Sequence, residues 1–165
     1  MKIGPLDIDR HRPAAIALAR DAFVESFGSA ERFEQEHGPD GSGMTRVLEE
    51  RQRTDPLWVV GAEENGRLAG LLVLGALPGP PPRGHLMLLA VEPAWRGTGL
   101  AGRLLVLAVE TLRSGGWDRA RLHVTDRNAR ACRFYRREGW VDQGEHPAVP
   151  GVRILEHDLV AAGDR

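Results

Sequence analysis

Residues 85–101, HLMLLAVEPAWRGTGLA, join an apolar run of strand length to a glycine-rich turn that opens an amphipathic helix. A strand that ends in such a turn leaves backbone N–H groups unpaired at the start of the helix. These donors and the positive end of the helix dipole together favour a phosphate group. The stretch therefore predicts a phosphate-bearing ligand, and the residues around the glycines indicate which one.

The composition of the chain bounds the class of protein. With 165 residues, the chain is long enough for one domain with its own hydrophobic core. Its single cysteine, Cys132, rules out internal disulfide bonds and indicates a reducing compartment, so we expect a cytoplasmic protein. The formal net charge of -1 is unlike that of a nucleic-acid-binding protein, and no apolar run approaches the roughly 20 residues that span a bilayer. We therefore expect neither a nucleic-acid partner nor a membrane partner.

Residues 1–56 contain mainly helical patterns. Apolar residues recur at helical spacing from Ala15 to Phe27, and Pro13 suits the first turn of a helix. The polar stretch that follows is broken by glycines and a proline, which is typical of a mobile loop. The predicted elements are a strand over residues 2–8, a helix ending near 27, a loop over 28–43 with a short helix around 30–36, and a helix over 44–53.

Residues 57–160 have the pattern of a sheet. Asn65-Gly66 lies between two β-rich runs and predicts a two-residue hairpin. The strand, helix and strand of residues 85–125 predict a parallel βαβ unit, whose two strands splay where the ligand enters. The predicted strands cover residues 57–62, 67–77, 85–91, 119–125, 139–141 and 152–160, with helices from 100 to Gly115-Gly116 and over 128–138. The fold class is therefore α/β (α+β), with a mixed, mostly antiparallel central sheet flanked by about four helices.

The glycine turn alone fits two classes of ligand. Residues 97–102 satisfy G-x-G-x-x-G after a strand, and Asp126 ends the next strand, where a ribose-binding acid of a dinucleotide fold belongs. However, five residues separate the strand from the first glycine, whereas the dinucleotide fingerprint turns directly off its strand. The unit also follows antiparallel strands, and too few residues remain to complete a doubly wound sheet. An NAD(P)-binding protein is therefore the weaker alternative.

The second interpretation uses two motifs rather than one. Residues 96–101, RGTGLA, read as R-x-x-G-x-A, and residues 128–140, NARACRFYRREGW, read as N-x-x-A-x-x-[FL]-Y-x-x-x-G-[FW]. In this order, with one strand between them, they resemble the GNAT superfamily of acyl-CoA-dependent N-acetyltransferases. The resemblance covers residues 57–159 and implies a single domain over 1–165, in which 1–56 form variable acceptor-side helices and 57–160 form the sheet and cofactor-binding core.

The resemblance implies acetyl-CoA as co-substrate and no metal. The turn would bind the pyrophosphate on backbone N–H groups, because Gly97 and Gly99 allow close approach. The open edge of the central strand would pair with the pantetheine arm like an added strand. The implied cofactor-binding residues are Leu89, Val91, Arg96, Gly97, Thr98, Gly99, Leu100, Ala101, Arg103 and Asn128.

The implied reaction is direct transfer of the acetyl group to a primary amine of a small molecule or peptide. Tyr135 matches the family tyrosine that protonates the departing thiolate. The base is open between His85 and Glu92, with His123 and Asp126 as further candidates. Period-two alternation places His85 on the face of Met87, Leu89 and Val91 unless a bulge intervenes.

The acceptor itself is not encoded in a recognisable motif. We expect the N-terminal helices and the loops over 28–43, 78–84 and 144–151 to surround it. The acids Glu25, Glu34 and Glu36 either favour a cationic amine or, as acids on helices usually do, simply face water. A non-catalytic acyl-CoA-binding sensor is the alternative to an enzyme, since no base is assured. The protein is expected to be a monomer or a homodimer.

Overall fold

A seven-stranded mixed sheet forms the centre of the computed structural model, which describes residues 1–160. The spatial order is β1-β2-β3-β4-β5-β7-β6, and among the described strands only β4 and β5 pair in parallel. This topology confirms the mixed, mostly antiparallel sheet with one βαβ unit and excludes a doubly wound dinucleotide fold. The strands are β1 (Lys2–Pro5), β2 (Val59–Glu64), β3 (Arg67–Leu77), β4 (Arg83–Val91), β5 (Arg119–Thr125), β6 (Val141–Glu145) and β7 (Val152–Asp158).

Five α-helices surround the sheet, where about four were expected. Short 3₁₀ turns over Pro56–Trp58 and Pro93–Trp95 precede β2 and follow β4. No helix within residues 1–160 is both long and apolar enough to cross a membrane. The helices are α1 (Ile8–Phe27), α2 (Glu31–His37), α3 (Ser42–Thr54), α4 (Leu100–Ser114) and α5 (Ala129–Arg137).

The helices divide between the two faces of the sheet. Helix α4 packs on one face, where Leu104 joins Leu72 and Leu122 in one apolar cluster. Helices α1, α2 and α3 pack on the other face, where Phe33 and Leu48 lie fully buried in a second cluster. We call these the α4 face and the α1 face. Strand β4 contributes to both faces, so its register decides which side chains meet the acceptor-side helices.

A bulge in β4 changes which face His85 occupies. In the β3–β4 ladder, Val73 pairs with Leu88 and Leu74 pairs with Leu86, so Met87 has no partner on β3. The extra residue reverses the alternation. His85 therefore lies on the α1 face with Met87, whereas Leu89 and Val91 point to the α4 face. The shared face was expected only in the absence of a bulge, and the bulge separates the four residues.

The hairpin between β2 and β3 follows the sequence prediction. Asn65 has φ 51° and Gly66 has φ 80°, so both turn residues adopt positive φ. Positive φ at both central residues defines the type I′ turn, whose twist matches that of the flanking strands.

Two predicted elements at the N-terminus are corrected. The first strand ends at Pro5 rather than Ile8, because the Asp7 side chain accepts a hydrogen bond from Arg10 N and caps α1 there. Pro13 consequently lies inside the helix rather than in its first turn. Within the stretch over 28–43, the short helix expected around 30–36 is present as α2, and its Phe33 packs edge-on against Phe23.

The predicted strand over 139–141 is also wrong. Gly139, with φ 88°, lies in the turn that follows α5, and Trp140 is buried in the α4-face cluster. The strand begins only at Val141. The remaining strands agree with the predicted ranges to within about two residues at each end.

Candidate active site

The parallel strands β4 and β5 separate soon after they begin. Their ladder contains only the pairs Gly84–Ala120 and His85–Arg121, although both strands continue beyond them. The gap that opens past His85 is the V-shaped cleft that the βαβ unit predicts, and we call it the cleft.

The open edge of β4 presents backbone groups of Leu89 and Val91 to this cleft. Glu92 N donates to Ala69 O, so Glu92 is bonded towards β3. In an antiparallel ladder, alternate residues bond towards opposite edges. The N–H and C=O groups of Leu89 and Val91 therefore face β5, where no ladder pair is formed.

The turn before α4 carries free donors at the mouth of the cleft. Among the described residues, the backbone N–H groups from Gly97 to Gly102 have no hydrogen-bond partner, and α4 has no side-chain cap. Gly97 and Gly99 have φ values of 76° and 85°, and a Cβ at either position would meet no atom within 4 Å. The Thr98 hydroxyl donates to Trp95 O at 2.6 Å and fixes the turn. The turn therefore presents an exposed cluster of unpaired N–H groups at a helix N-terminus.

Three arginines surround this turn, and two of them share one carboxylate. Glu25, in the last turns of α1, accepts from Arg96 at 2.5 Å and from Arg130 of α5 at 2.8 Å. The end of α1 is thereby tied to both motifs, and the Thr125 hydroxyl bonds to Ser26 O at 2.8 Å beside them. Arg103 is exposed and has no ion-pair partner within residues 1–160.

Helix α5 follows β5, with Asn128 as its N-cap and Tyr135 in its last turns. Asn128 caps the helix by accepting from Ala131 N at 3.2 Å, which leaves its amide NH2 group free for a ligand. The Tyr135 ring packs against Phe134 and Trp140, and it is 7% exposed. Its hydroxyl has no protein hydrogen bond in the described part of the chain. Burial raises the pKa of Tyr135 well above its usual value, so the phenol is a donor throughout the physiological range.

Three imidazoles lie in a row on the α1 face where β4 and β5 part. The ring centroids of His85 and His123 are 5.7 Å apart, and those of His123 and His146 are 4.9 Å apart. His146 Nδ1 accepts from Ala148 N at 3.1 Å, which leaves Nε2 as the protonated nitrogen of the neutral ring. Within residues 1–160, no group of three or more His, Cys, Asp or Glu side chains is arranged to hold a metal ion. We call these residues the histidine row.

The electrostatics around His85 and His123 favour neutral rings. Burial lowers the pKa of His85 to about 4, and the charges of His123 and Arg51 act in the same direction. Desolvation likewise lowers the pKa of His123, with His146 and Arg121 contributing. His85 and His123 are therefore unprotonated near pH 7 and can accept a proton.

The other predicted base, Glu92, lies at the opposite end of β4. It pairs with Arg67 at 3.4 Å. Glu92 lies seven positions after His85, which places the two groups roughly 20 Å apart along the strand. The structure therefore does not bring the two candidate bases to one acceptor nitrogen. Asp126 is exposed beyond the end of β5.

Comparison with known proteins identifies the family. The profile of the acetyltransferase (GNAT) family matches residues 14–140, which is most of the chain. The chain belongs to the GNAT acetyltransferase family. This confirms the resemblance carried by the two motifs, and it confirms an acyltransferase fold rather than a dinucleotide-binding one.

Individual relatives agree with this assignment. Mycothiol acetyltransferase of Beutenbergia cavernae is 33% identical over 114 residues, which are 66% of this chain but only 38% of that protein. The PaiA N-acetyltransferase of Thermoplasma acidophilum, solved with coenzyme A, has TM-score 0.75 and 19% identity, covering 95% of this chain and 98% of that one. YncA of Salmonella typhimurium, solved with acetyl-CoA, has TM-score 0.74 and 19% identity, covering 98% and 95%. Both structures share the fold.

Three features of the site have no local signal in the sequence. The bond from Glu25 to Arg96 joins residues 71 positions apart, and the bulge at Met87 leaves no mark in the apolar run. The histidine row is likewise assembled from three separate strands and loops. Its members are visible in the sequence only as isolated histidines.

Proposed function

We propose that the protein transfers an acetyl group from acetyl-CoA directly to an amine. The observation that carries this proposal is the set of unpaired N–H groups at Gly97–Gly102 beside the unpaired edge of β4. A pyrophosphate matches the first group of donors, and an amide-rich arm matches the second. Both ligand parts occur in coenzyme A, with which PaiA was solved.

In this proposal, each part of the cofactor has its own residues. The pyrophosphate lies on the turn from Gly97 to Ala101, with Arg96 and Arg103 adding positive charge. The pantetheine amides bond to the backbone of Leu89 and Val91, and the Asn128 amide contacts the same arm. The thioester end of the arm points towards the narrow end of the cleft, where His85 lies.

In the proposed reaction, the amine, a backbone N–H group of β4 and the Tyr135 hydroxyl act on the thioester. A neutral amine attacks the carbonyl carbon, and the N–H of Leu89 or Val91 stabilises the oxyanion. The carbon–sulfur bond breaks, and Tyr135 donates its proton to the departing thiolate. The high pKa of the buried phenol makes complete transfer uphill, so a hydrogen bond to the sulfur is its first contribution.

The proton released by the amine goes to the histidine row. His85 and Leu89 are four positions apart on β4, roughly 12 Å along the strand, so His85 collects the proton through intervening water. His123 is exposed and leads the proton to solvent. Glu92, paired with Arg67 at the other end of β4, has no part in this step.

Replacing His85 with glutamine is expected to lower kcat/KM for the amine about tenfold at pH 7. The effect is moderate because a base of pKa about 4 provides little driving force for proton transfer. The loss should shrink as the pH rises towards the pKa of the amine, since the acceptor then arrives neutral. Steady-state kinetics from pH 6 to 10 measure this profile.

His157→Gln is the matched control for this variant. His157 stacks on Trp140 and lies outside the histidine row. Its replacement should leave the profile unchanged. A His85→Gln profile parallel to wild type at every pH would remove His85 from the proton path.

Release of free thiol from acetyl-CoA tests the proposed function itself. The reaction is followed with a panel of small amines and peptides, and the products are identified by mass spectrometry. We expect amine-dependent thiol release and an acetyl amide product. A sensor without catalysis would bind acetyl-CoA and release no thiol with any amine.

A further inference from the structure

Arg51 of α3 lies against the sheet beside the histidine row. A Cβ built at Gly75 would stand 2.1 Å from Arg51 Nη1, so the guanidinium occupies the space above this glycine. Gly75 pairs directly with His85 across the β3–β4 ladder. The positive charge of Arg51 acts on His85 and contributes to its low pKa.

This half-buried guanidinium has neither a hydrogen bond nor a carboxylate partner within residues 1–160. The acids that the sequence offered for a cationic acceptor are all engaged elsewhere. Glu34 pairs with Arg20, and Glu36 pairs with Arg32. Glu25 is shared by Arg96 and Arg130. The expectation that these acids bind a cationic amine therefore loses its support.

The surroundings of the histidine row are positively charged. Glu156 accepts from both Arg83 and Arg121 at 2.9 Å, and Arg119 lies 3.6 Å from it, so three arginines share one carboxylate. Burial raises the pKa of Glu156, but the bonds from the arginines outweigh burial and hold it below the ordinary value. Asp158 lies opposite Arg119 in the β5–β7 strand register, at the far end of this surface.

We propose that the acceptor amine carries an oxyanion, a carboxylate or a phosphate, which Arg51 binds on the α1 face next to His85. This inference rests on the proposed acetyl transfer and names its acceptor class. A guanidinium donates two parallel hydrogen bonds to such a group. The same positive surroundings disfavour an ammonium ion, so they promote the loss of the proton that must precede attack.

Matched pairs of acceptors test this proposal through kcat/KM for thiol release. β-Alanine, γ-aminobutyrate and ε-aminocaproate are each compared with the alkylamine of the same chain length, and L-phenylalanine with phenethylamine. O-Phosphoethanolamine against ethanolamine forms the phosphate arm. We expect the anionic member of at least one pair to be favoured at least tenfold, mainly through a lower KM.

Arg51→Met should abolish that preference by raising KM for the anionic acceptor and leaving the uncharged partner unaffected. Arg51→Lys should restore part of it. Arg53→Met, an exposed arginine on the same helix, is the control and should behave as wild type. Thermal unfolding of each variant checks that the fold is intact.

The outcomes separate this inference from the proposed function. Thiol release that is equal for both members of every pair, or that Arg51→Met reduces equally for both, overturns the anionic acceptor and leaves acetyl transfer standing. The absence of thiol release with every amine overturns acetyl transfer, and the acceptor class falls with it.

Discussion

The Gly99→Val substitution is expected to raise the dissociation constant for acetyl-CoA about 100-fold, which corresponds to about 2.7 kcal/mol of binding free energy. Gly99 has φ 85°, a conformation that β-branched residues rarely adopt, so valine strains the turn that orients the free N–H groups. The new side chain also occupies the open space through which a pyrophosphate would approach. Isothermal titration calorimetry of the two proteins measures the change.

Gly116→Val is a closely matched control for this variant. Gly116 also has φ 85°, and a Cβ there also meets no atom within 4 Å, but it follows the C-terminus of α4 rather than the N-terminus. Both variants carry the same backbone strain and should lose similar stability. Equal acetyl-CoA affinities in the two variants would show that the turn is not the phosphate site.

Tyr135→Phe is expected to lower kcat about 100-fold while leaving the affinity for acetyl-CoA within about threefold. The hydroxyl has no hydrogen-bond partner in the described protein, so its removal breaks no structural bond. The ring contacts with Phe134 and Trp140 remain. The rate falls because the thiolate then leaves without a proton donor. Steady-state kinetics at saturating acetyl-CoA measure the loss.

Phe134→Leu provides the comparison. It removes the neighbouring ring from the same helix and retains the Tyr135 hydroxyl, so it should affect stability more than kcat. The pH profile adds a second readout, because a phenol with a raised pKa stays protonated and should produce no alkaline loss of kcat below pH 10. An unchanged kcat in Tyr135→Phe would remove this residue as the acid.

The sequence predicts those parts of the structure that depend on local chemistry. Asn65-Gly66 specifies its turn because both residues tolerate positive φ. Asn128 caps α5 as expected, since its side chain needs only the N–H group three residues ahead. The two GNAT motifs are contiguous stretches, so the family follows from the sequence.

The acceptor side depends on contacts between distant residues, and there the sequence is insufficient. The bulge at Met87 is set by pairing with β3, and it transfers His85 to the face of α1 and α3. The Arg51 guanidinium fits above Gly75, the ladder partner of His85, only because this residue has no side chain. Glu25 looked available for a cationic substrate, whereas the fold commits it to Arg96 and Arg130.

Calorimetric titration with acetyl-CoA, coenzyme A and NAD(H) tests the central claim most directly. NAD(H) has a pyrophosphate but no pantetheine arm, so it offers nothing to the open edge at Leu89 and Val91. We predict saturable binding of acetyl-CoA and coenzyme A at one site, with no measurable binding of NAD(H) at the same concentrations. Binding of NAD(H) without binding of coenzyme A would contradict the account.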